Sequence, residues 1–171
     1  MNNLIQSKEI FKKSIDLKIG RLIAIASITN LHAVLWNLDS LNHKTKKHIK
    51  ELPETKNNAI IEKTISQLNE YFDLKRKDFD LPISYEGTAF QQAVWKQLTT
   101  IPYGRTISYK EQAIALGDAK KARAVGTANG KNPLSIIIPC HRVIASNQTL
   151  GGYAGGLDVK KFLIDLEASD A

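Results

Sequence analysis

The 171-residue sequence predicts a small α/β domain, an antiparallel sheet with a helix, followed by a mainly α domain with a winged helix-turn-helix. The first domain is indicated by β-rich runs at residues 21–28 and 32–36, which predict a hairpin, and by a helical apolar pattern after them. The second is indicated by two capping-box patterns and a Gly-Asp turn between short helices. We place the domains at residues 1–85 and 86–171.

The rest of the first domain is predicted from polarity and period. The polar, lysine-rich stretch 38–57 predicts a loop, with Pro53 breaking any helix. Between residues 58 and 74 the apolar side chains recur at helical intervals, so we expect a helix with one face on the sheet. Residues 79–85 predict a further strand that completes the sheet.

Two capping boxes open the second domain. Thr88 and Gln91 predict the start of a helix that reaches about Leu98, and Ser108 and Glu111 predict the start of a shorter one. In each box the hydroxyl and the longer side chain satisfy two backbone N–H groups that the helix leaves unpaired. Between them the sequence Pro-Tyr-Gly at 102–104 predicts a turn.

The short helix is followed by Gly117 and Asp118, which predict a tight turn and the cap of a second helix running to about Asn129. This is a helix-turn-helix pattern, and its second helix carries three basic residues near its N-terminus, where a recognition helix meets DNA: Lys120, Lys121 and Arg123. The pattern by itself leaves two interpretations open, nucleic-acid binding and an ordinary pair of packed helices.

Positive charge is concentrated in the same region. The chain has a formal net charge of +7, and residues 103–142 hold seven basic residues against two acidic ones. Such a stretch suits a polyanion, because each phosphate contact releases counterions and adds affinity that is independent of base sequence. A solvated basic face is the alternative that charge alone leaves open.

Composition narrows the class of protein. No apolar run approaches the roughly 20 residues of a membrane span, and the first residues lack a secretory signal, so we expect a cytoplasmic protein that does not bind membranes. A single cysteine excludes an internal disulfide and a cysteine-rich zinc site. The four histidines show no metal-ligand spacing, and we therefore expect no metal and no cofactor.

The residues best suited to catalysis follow the apolar run 134–139. That run predicts a buried extended stretch. Pro139 restricts the backbone just before Cys140 and presents the thiol at a defined place. His141 is a proton acceptor and Arg142 a cation, and both kinds of neighbour activate a thiol as a nucleophile. A buried, inert cysteine is the alternative, since free cysteine is among the most buried residue types.

The sequence IIIPCHRV, with RAVG upstream and GYAGGL downstream, resembles the O6-alkylguanine-DNA alkyltransferase family. The match runs nearly continuously from Thr88 to about Glu167. Five segments fall in the order and spacing of that family: FQQAVW, IPYGRTISY, ARAVGTANGKNP, IIIPCHRVI and GGYAGGLDVKKFLIDLE. The N-terminal hairpin and helix agree with the family's variable first domain in outline.

The resemblance implies catalytic roles for five residues. Cys140 matches the cysteine that accepts the alkyl group, and His141 the base that relays its proton through water. Glu167 matches the carboxylate that orients His141, and Asn132 the asparagine that braces the active-site turn. Tyr109 matches a tyrosine beside the flipped base that contacts a backbone phosphate and the N3 side of the purine.

The resemblance also implies contacts with DNA and with the base. Arg123 matches the arginine that fills the gap left by the extruded guanine. We expect four further residues at the DNA: Tyr109, Lys120, Lys121 and Arg142. Four residues are expected at the substrate pocket: Val143, Tyr153, Ala154 and Lys160. Some family members have a serine at the position of Ala154, which puts a hydroxyl contact to the base in doubt.

The implied activity is the direct transfer of the alkyl group from O6-alkylguanine, and from O4-alkylthymine, in double-stranded DNA to Cys140. A thioether has no good leaving group, so each molecule, expected to be a monomer, reacts once. Relatives with an N-terminal zinc site use cysteines that this sequence lacks, and we expect no zinc. Phosphotriester repair and transcriptional switching need a cysteine-rich regulatory domain, and we expect neither.

Three other functions share part of this sequence pattern. A non-enzymatic sensor of O6-alkylguanine has another residue in place of the acceptor cysteine, and Cys140 argues against that class. A winged-helix transcription factor shares the helix pair and the charge but needs no PCHRV segment. A cysteine hydrolase that uses Cys140 and His141 predicts repeated turnover, which product counting distinguishes from a single transfer.

Overall fold

The computed structural model describes residues 9–38 and 41–171, and these form two units that divide between Glu86 and Gly87. Among the described residues, no helix is long and apolar enough to cross a lipid bilayer. The predicted fold class is confirmed, because the first unit contains a three-stranded antiparallel sheet with helices and the second is mainly helical.

The sheet of the first unit consists of β1 (Phe11–Leu17), β2 (Gly20–Ala26) and β3 (Leu31–Leu35), in that order and antiparallel throughout. The predicted hairpin corresponds to β2 and β3. Strand β1 was not predicted, because two lysines and an aspartate break its apolar pattern and Ile15 is its one fully buried side chain. As an edge strand it needs only one apolar face.

A helix, α1 (His43–Glu51), lies where the lysine-rich stretch predicted a loop, and that prediction was wrong. Asn42 caps the helix by accepting a hydrogen bond from the backbone N–H of Thr45. Ile49 is 2% exposed and packs into the core with the sheet, while the lysines project from the other faces. Pro53 lies beyond the last turn and therefore does not interrupt the helix.

The second helix, α2 (Ala59–Phe72), confirms the predicted helix, with Asn58 as its cap. The side chains of Ile61, Leu68 and Tyr71 are fully buried. They recur at intervals of seven and three residues, which places them on one face of the helix. The apolar period therefore identified both the helix and the side that packs.

The strand predicted at residues 79–85 does not form. Only Ile83 pairs, in an isolated parallel bridge with Leu31 at the start of β3. The backbone of Asp80 instead hydrogen-bonds to the side-chain amide of Gln67 on α2, through both its N–H and its C=O at 2.9 Å. This contact uses the donor and the acceptor that a strand pairing would need.

The second unit contains four helices and a pair of two-residue parallel strands: α3 (Ala89–Leu98), β4 (Ile107–Ser108), α4 (Tyr109–Ala115), α5 (Ala122–Asn129), β5 (Val143–Ile144) and α6 (Leu157–Ala168). Both predicted capping boxes are present, at Thr88 and Ser108. The buried indole of Trp95 on α3 donates a hydrogen bond of 2.9 Å to the carbonyl of Ala128 on α5. This bond fixes the two helices side by side.

The predicted helix-turn-helix is formed by α4 and α5. Gly117 has φ +90°, a conformation that favours glycine, and it ends the first helix. Asp118 caps a single 3₁₀ turn, Ala119–Lys121, through the backbone N–H of Lys120, and α5 begins immediately after it. The recognition helix therefore starts with a tighter turn than the sequence predicts.

Candidate active site

A tight turn at residues 134–138 leads into the reactive cysteine, where the sequence predicts an extended stretch. The run is buried as expected, but the N–H of Ile138 donates to the carbonyl of Leu134 at 2.8 Å, so the chain folds back on itself. Ile136 has φ +72°, which is strained for a β-branched residue. Asn132 braces the turn by donating to the Ile138 carbonyl and accepting from the Leu134 N–H.

The thiol is presented by a second, smaller turn. Pro139 has φ −81° and ψ 63°, and the N–H of Cys140 donates to the carbonyl of Ile138 at 2.8 Å, which together make an inverse γ-turn. A 3₁₀ turn, Cys140–Arg142, follows directly. The side chain of Cys140 is 8% exposed and is therefore held at a defined place just below the surface.

Burial determines the resting state of the thiol. It raises the pKa of Cys140, and neither the hydrogen bond from Asn132 nor the charge of Lys160, both of which act to lower the pKa, reverses the effect. The expectation that nearby cations favour a thiolate is therefore outweighed by desolvation. Cys140 rests as a neutral thiol, and its reaction requires a base.

His141 and Glu167 form a buried pair that can supply the base. The two side chains are 0% and 1% exposed, and Nε2 of His141 lies 2.8 Å from Oε1 of Glu167. Because an ionised carboxylate only accepts hydrogen bonds, Nε2 carries the proton and Nδ1 has an open lone pair. Nδ1 is buried, and no residue in the described part of the chain forms a hydrogen bond with it. Burial lowers the pKa of His141 in spite of Glu167, so the ring is neutral.

Arg142 lies in the interior, 7% exposed, and the expectation that it contacts DNA was wrong. Its Nε and Nη2 donate to the two oxygens of Glu167 at 2.8 and 3.0 Å, and Nη1 donates to the carbonyl of Ile101 at 2.6 Å. A guanidinium held in this way cannot reach a phosphate. Burial acts to raise the pKa of Glu167, but its bonds and charges with His141 and Arg142 together lower it to about 2.

A cleft opens beside the thiol and encloses about 300 Å³, part of it open to solvent. Nine residues line it: Tyr109, Asn129, Gly130, Asn132, Ser135, Cys140, Gly152, Tyr153 and Ala154. Tyr153 and Ala154 lie where the pocket was predicted, whereas Val143 is fully buried and outside the lining. Sequence reasoning missed Ser135, because the turn that brings it to the cleft was predicted as extended.

Tyr109 packs against two glycines at the cleft, and one of them is required there. Gly151 has φ +66°, and a Cβ there would lie 2.8 Å from the Tyr109 hydroxyl oxygen, so the close approach requires glycine. On α5, a Cβ at Gly126 would lie 3.6 Å from the same ring, which is ordinary contact. Tyr109 is therefore held between the recognition helix and the loop that carries Tyr153.

Lys160, predicted at the substrate pocket, lies behind the cleft wall. Its ammonium donates to the backbone carbonyls of Val143, at 2.6 Å, and Leu150, and it lies 5.7 Å from the centre of the Tyr109 ring. Burial lowers its pKa to about 8, although the charge of Cys140 acts in the opposite direction. The side chain joins α6 to the two chain segments on either side of the 145–149 loop.

The helix-turn-helix presents its basic residues to solvent. Lys120, Lys121 and Arg123 are all exposed, and Lys121 makes a loose ion pair of 3.9 Å with Asp118. An exposed ion pair of this length contributes little to stability, so these cations are available to a polyanion. Their position agrees with the predicted DNA side, whereas that of Arg142 does not.

The arrangement has a definite chemical capacity. The thiol of Cys140 lines the cleft, and the next residue, His141, is a neutral imidazole bound to an ionised carboxylate, which is the residue set of a nucleophile with an oriented base. Within residues 9–38 and 41–171, no group of three or more His, Cys, Asp or Glu residues could hold a metal ion. The chemistry that these side chains themselves offer is nucleophilic attack by sulfur.

Comparison with known proteins places both units in one family. Residues 10–85 match the ribonuclease-like domain of 6-O-methylguanine DNA methyltransferase, and residues 89–169 match its DNA binding domain. The methylated-DNA–protein-cysteine methyltransferase of Methanosarcina barkeri is 49% identical over 138 residues, which is 80% of this chain and 85% of the relative. The Mycobacterium leprae protein of that name is 42% identical, over 91% of this chain and 90% of its own.

Solved structures agree with this assignment. The crystal structure of the Mycobacterium tuberculosis O6-methylguanine methyltransferase is similar with a TM-score of 0.82 at 40% identity, covering 95% of this chain and 94% of that one. A structure of the M. tuberculosis protein in complex with DNA is similar with a TM-score of 0.81 at 39% identity, over 94% of each chain. The chain therefore belongs to the 6-O-methylguanine DNA methyltransferase family.

Proposed function

We propose that this protein repairs DNA by transferring the alkyl group of O6-alkylguanine, and of O4-alkylthymine, to Cys140. It is a methylated-DNA–protein-cysteine methyltransferase, as its close relatives are. The observation that carries the assignment of residues is the set formed by a buried thiol, a neutral His141 with an open Nδ1, and an ionised Glu167. Each member has the protonation state that the transfer needs at its start.

The reaction follows from these states. His141 takes the proton of Cys140 through a water molecule, and the resulting thiolate attacks the alkyl carbon in line with the O6 atom. The sulfur–carbon bond forms as the oxygen–carbon bond breaks, and the electron pair stays on the guanine. The departing guanine takes up one proton from solvent, and His141 releases to solvent the proton that it took from the thiol, so no net charge is created. Glu167 orients the imidazole and stabilises it while it is protonated.

The base reaches the thiol only after leaving the helix, because a buried sulfur cannot enter the stack. Extrusion costs a few kcal/mol of stacking and pairing. We assign Arg123, exposed in the first turn of α5, to the gap that remains, with Lys120 and Lys121 at the phosphates. Tyr109, at the edge of the cleft, contacts the flipped nucleotide.

The substrate and setting follow from this chemistry. We infer that the protein acts as a monomer on double-stranded DNA in the cytoplasm. Incubation with a duplex that carries labelled O6-methylguanine tests the function: the label should appear on the peptide that contains Cys140. Label on another residue, or free methanol without labelled protein, would contradict the proposal, and the second result would indicate a hydrolase.

Replacement of Arg123 should separate extrusion of the damaged base from transfer of the alkyl group. We expect Arg123→Ala to slow repair of duplex DNA by about 10- to 100-fold, which corresponds to about 1 to 3 kcal/mol of the extrusion cost. Reaction with the free O6-methylguanine base should stay within about twofold, because no gap has to be filled. Single-turnover rates on both substrates measure this. Lys96→Ala, an exposed cation on α3, is the control, and equal losses on both substrates would remove the gap-filling role.

Binding to undamaged duplex should be governed by salt and not by sequence. Each phosphate contact contributes about −0.9 to the slope of log affinity against log salt concentration. We expect Lys120→Ala with Lys121→Ala to make the slope shallower by about two such contacts. Fluorescence anisotropy over a series of salt concentrations gives the slope. A high-affinity consensus sequence would instead support a transcription factor.

A further inference from the structure

The guanidinium of Arg142 binds both oxygens of Glu167, the carboxylate that orients His141. Nε donates to Oε2 of Glu167 at 2.8 Å and Nη2 donates to Oε1 at 3.0 Å, a two-point contact between planar groups. Nη1 is fixed separately by the carbonyl of Ile101 at 2.6 Å. A fork held at three atoms cannot rotate, so it fixes the plane of the carboxylate.

Both oxygens of Glu167 are shared between the arginine and a second donor. Oε1 accepts from His141 as well as from Arg142, and Oε2 accepts from Arg142 and from the backbone N–H of Gly104 at 3.1 Å. Four donors therefore converge on one carboxylate that is 1% exposed. The direction in which His141 can donate its Nε2 proton is set by a group that Arg142 holds still.

The charges of Glu167 and Arg142 affect the protonation of His141. A buried carboxylate beside an imidazole, with no other partner, favours the imidazolium, which has no lone pair to take a proton from a thiol. A buried Arg142–Glu167 pair has no net charge, and the guanidinium opposes a second positive charge on the ring. Among the described residues, four titratable or aromatic groups act on His141 or contact its ring: Arg142, Tyr153, Lys160 and Glu167.

We propose that Arg142 is a positioning residue: by holding both oxygens of Glu167 it lets that carboxylate orient His141 without protonating it, and so leaves Nδ1 open to the Cys140 proton. Among the groups that face the ring, Glu167 favours the charged imidazole, whereas the cations Arg142 and Lys160 disfavour it. The claim that alkyl transfer needs a neutral His141 rests on the proposed function. The claim that Arg142 keeps the His141 ring neutral does not.

Ring-nitrogen NMR of histidine-labelled, unreacted protein tests the proposal, with His141→Gln to assign the signal among four histidines. In the native protein His141 should be neutral at pH 7, with the proton on Nε2. Arg142→Met should raise its titration midpoint by about one pH unit or more. Arg142→Lys keeps a charge but cannot bind both oxygens, and should produce a smaller rise in the same direction. Lys161→Met, an exposed cation on α6, should leave the midpoint unchanged.

The pH dependence of transfer from the free O6-methylguanine base provides the second measurement. In both Arg142 variants the rising limb of the rate should move to higher pH by as much as the His141 midpoint moves, and the rate should recover at about pH 8.5. A rate lowered equally at all pH values, with His141 titrating as in the native protein, would reduce Arg142 to a packing role. If Arg142→Met does not fold, an unchanged midpoint in Arg142→Lys overturns the proposal. Because the titration involves no substrate, its outcome is independent of whether Cys140 is the alkyl acceptor.

Discussion

Cys140→Ser and Cys140→Ala should both eliminate alkyl transfer. Serine keeps the size and position of the side chain, but its hydroxyl has no accessible ionised form and is a poor nucleophile toward an alkyl carbon. Neither substitution changes the exposed cations of the helix-turn-helix, so affinity for undamaged duplex should stay within about twofold. Mass spectrometry of the protein after incubation with O6-methylguanine duplex measures the transfer, and anisotropy measures the binding.

Of the two variants, Cys140→Ser provides the sharper test, because Cys140→Ala also removes a buried atom. A methylated product from either variant would show that another residue accepts the alkyl group. Loss of DNA binding together with loss of transfer would instead indicate that Cys140 supports the fold of the second unit. The Tm of each variant distinguishes these results.

Glu167→Gln should destabilise the second unit strongly. The substitution keeps the shape of the side chain but leaves the buried guanidinium of Arg142 without its counter-charge, which typically costs about 3 to 5 kcal/mol. Urea unfolding measures the difference in the free energy of unfolding. Asp165→Asn is the matched control, two residues earlier on α6, where the carboxylate pairs with Lys161 at the surface and should contribute less than about 1 kcal/mol. Equal effects of the two substitutions would contradict the account of the buried cluster.

The same cluster predicts the direction of acid sensitivity. Its bonds and charges with His141 and Arg142 lower the pKa of Glu167 to about 2 from an ordinary 4.5, so its contribution, about 3 kcal/mol, is complete above pH 4.5 and is lost as the pH falls toward 2. The lowered pKa of His141 acts earlier: below about pH 6.5 the unfolded chain binds a proton that the folded chain does not, and stability falls. In Glu167→Gln the part of the loss between pH 4.5 and 2 should be reduced.

Local signals predicted much of the fold. Thr88 and Ser108 each lie directly before a helix, and the residues three positions later, Gln91 and Glu111, complete the hydrogen bonds of both caps. Helix α1 was missed because its lysines dominate the composition, although Asn42 and Ile49 provide the cap and the buried contact. Whether a polar stretch folds as a helix depends on a packing partner elsewhere in the chain, which local composition does not reveal.

The structure agrees with the expected position of some site residues and differs from that of others. The resemblance identified Glu167 as the partner of His141, although 26 positions separate them, and the structure places their atoms 2.8 Å apart. Arg142 was predicted to contact DNA because the sequence shows its positive charge but not its burial. Its burial follows from α6 and the 101–104 segment closing around it. The raised pKa of Cys140 is likewise a consequence of desolvation, which a sequence does not display.

In the proposed reaction Cys140 itself takes the alkyl group and keeps it. The most direct measurement is the number of methyl groups removed per protein molecule, with a tenfold excess of O6-methylguanine duplex over protein and a long incubation. We expect one repaired guanine per active molecule, and one methyl group on the peptide that contains Cys140. Continued repair beyond one per molecule, or repair that leaves Cys140 unmodified, would contradict it.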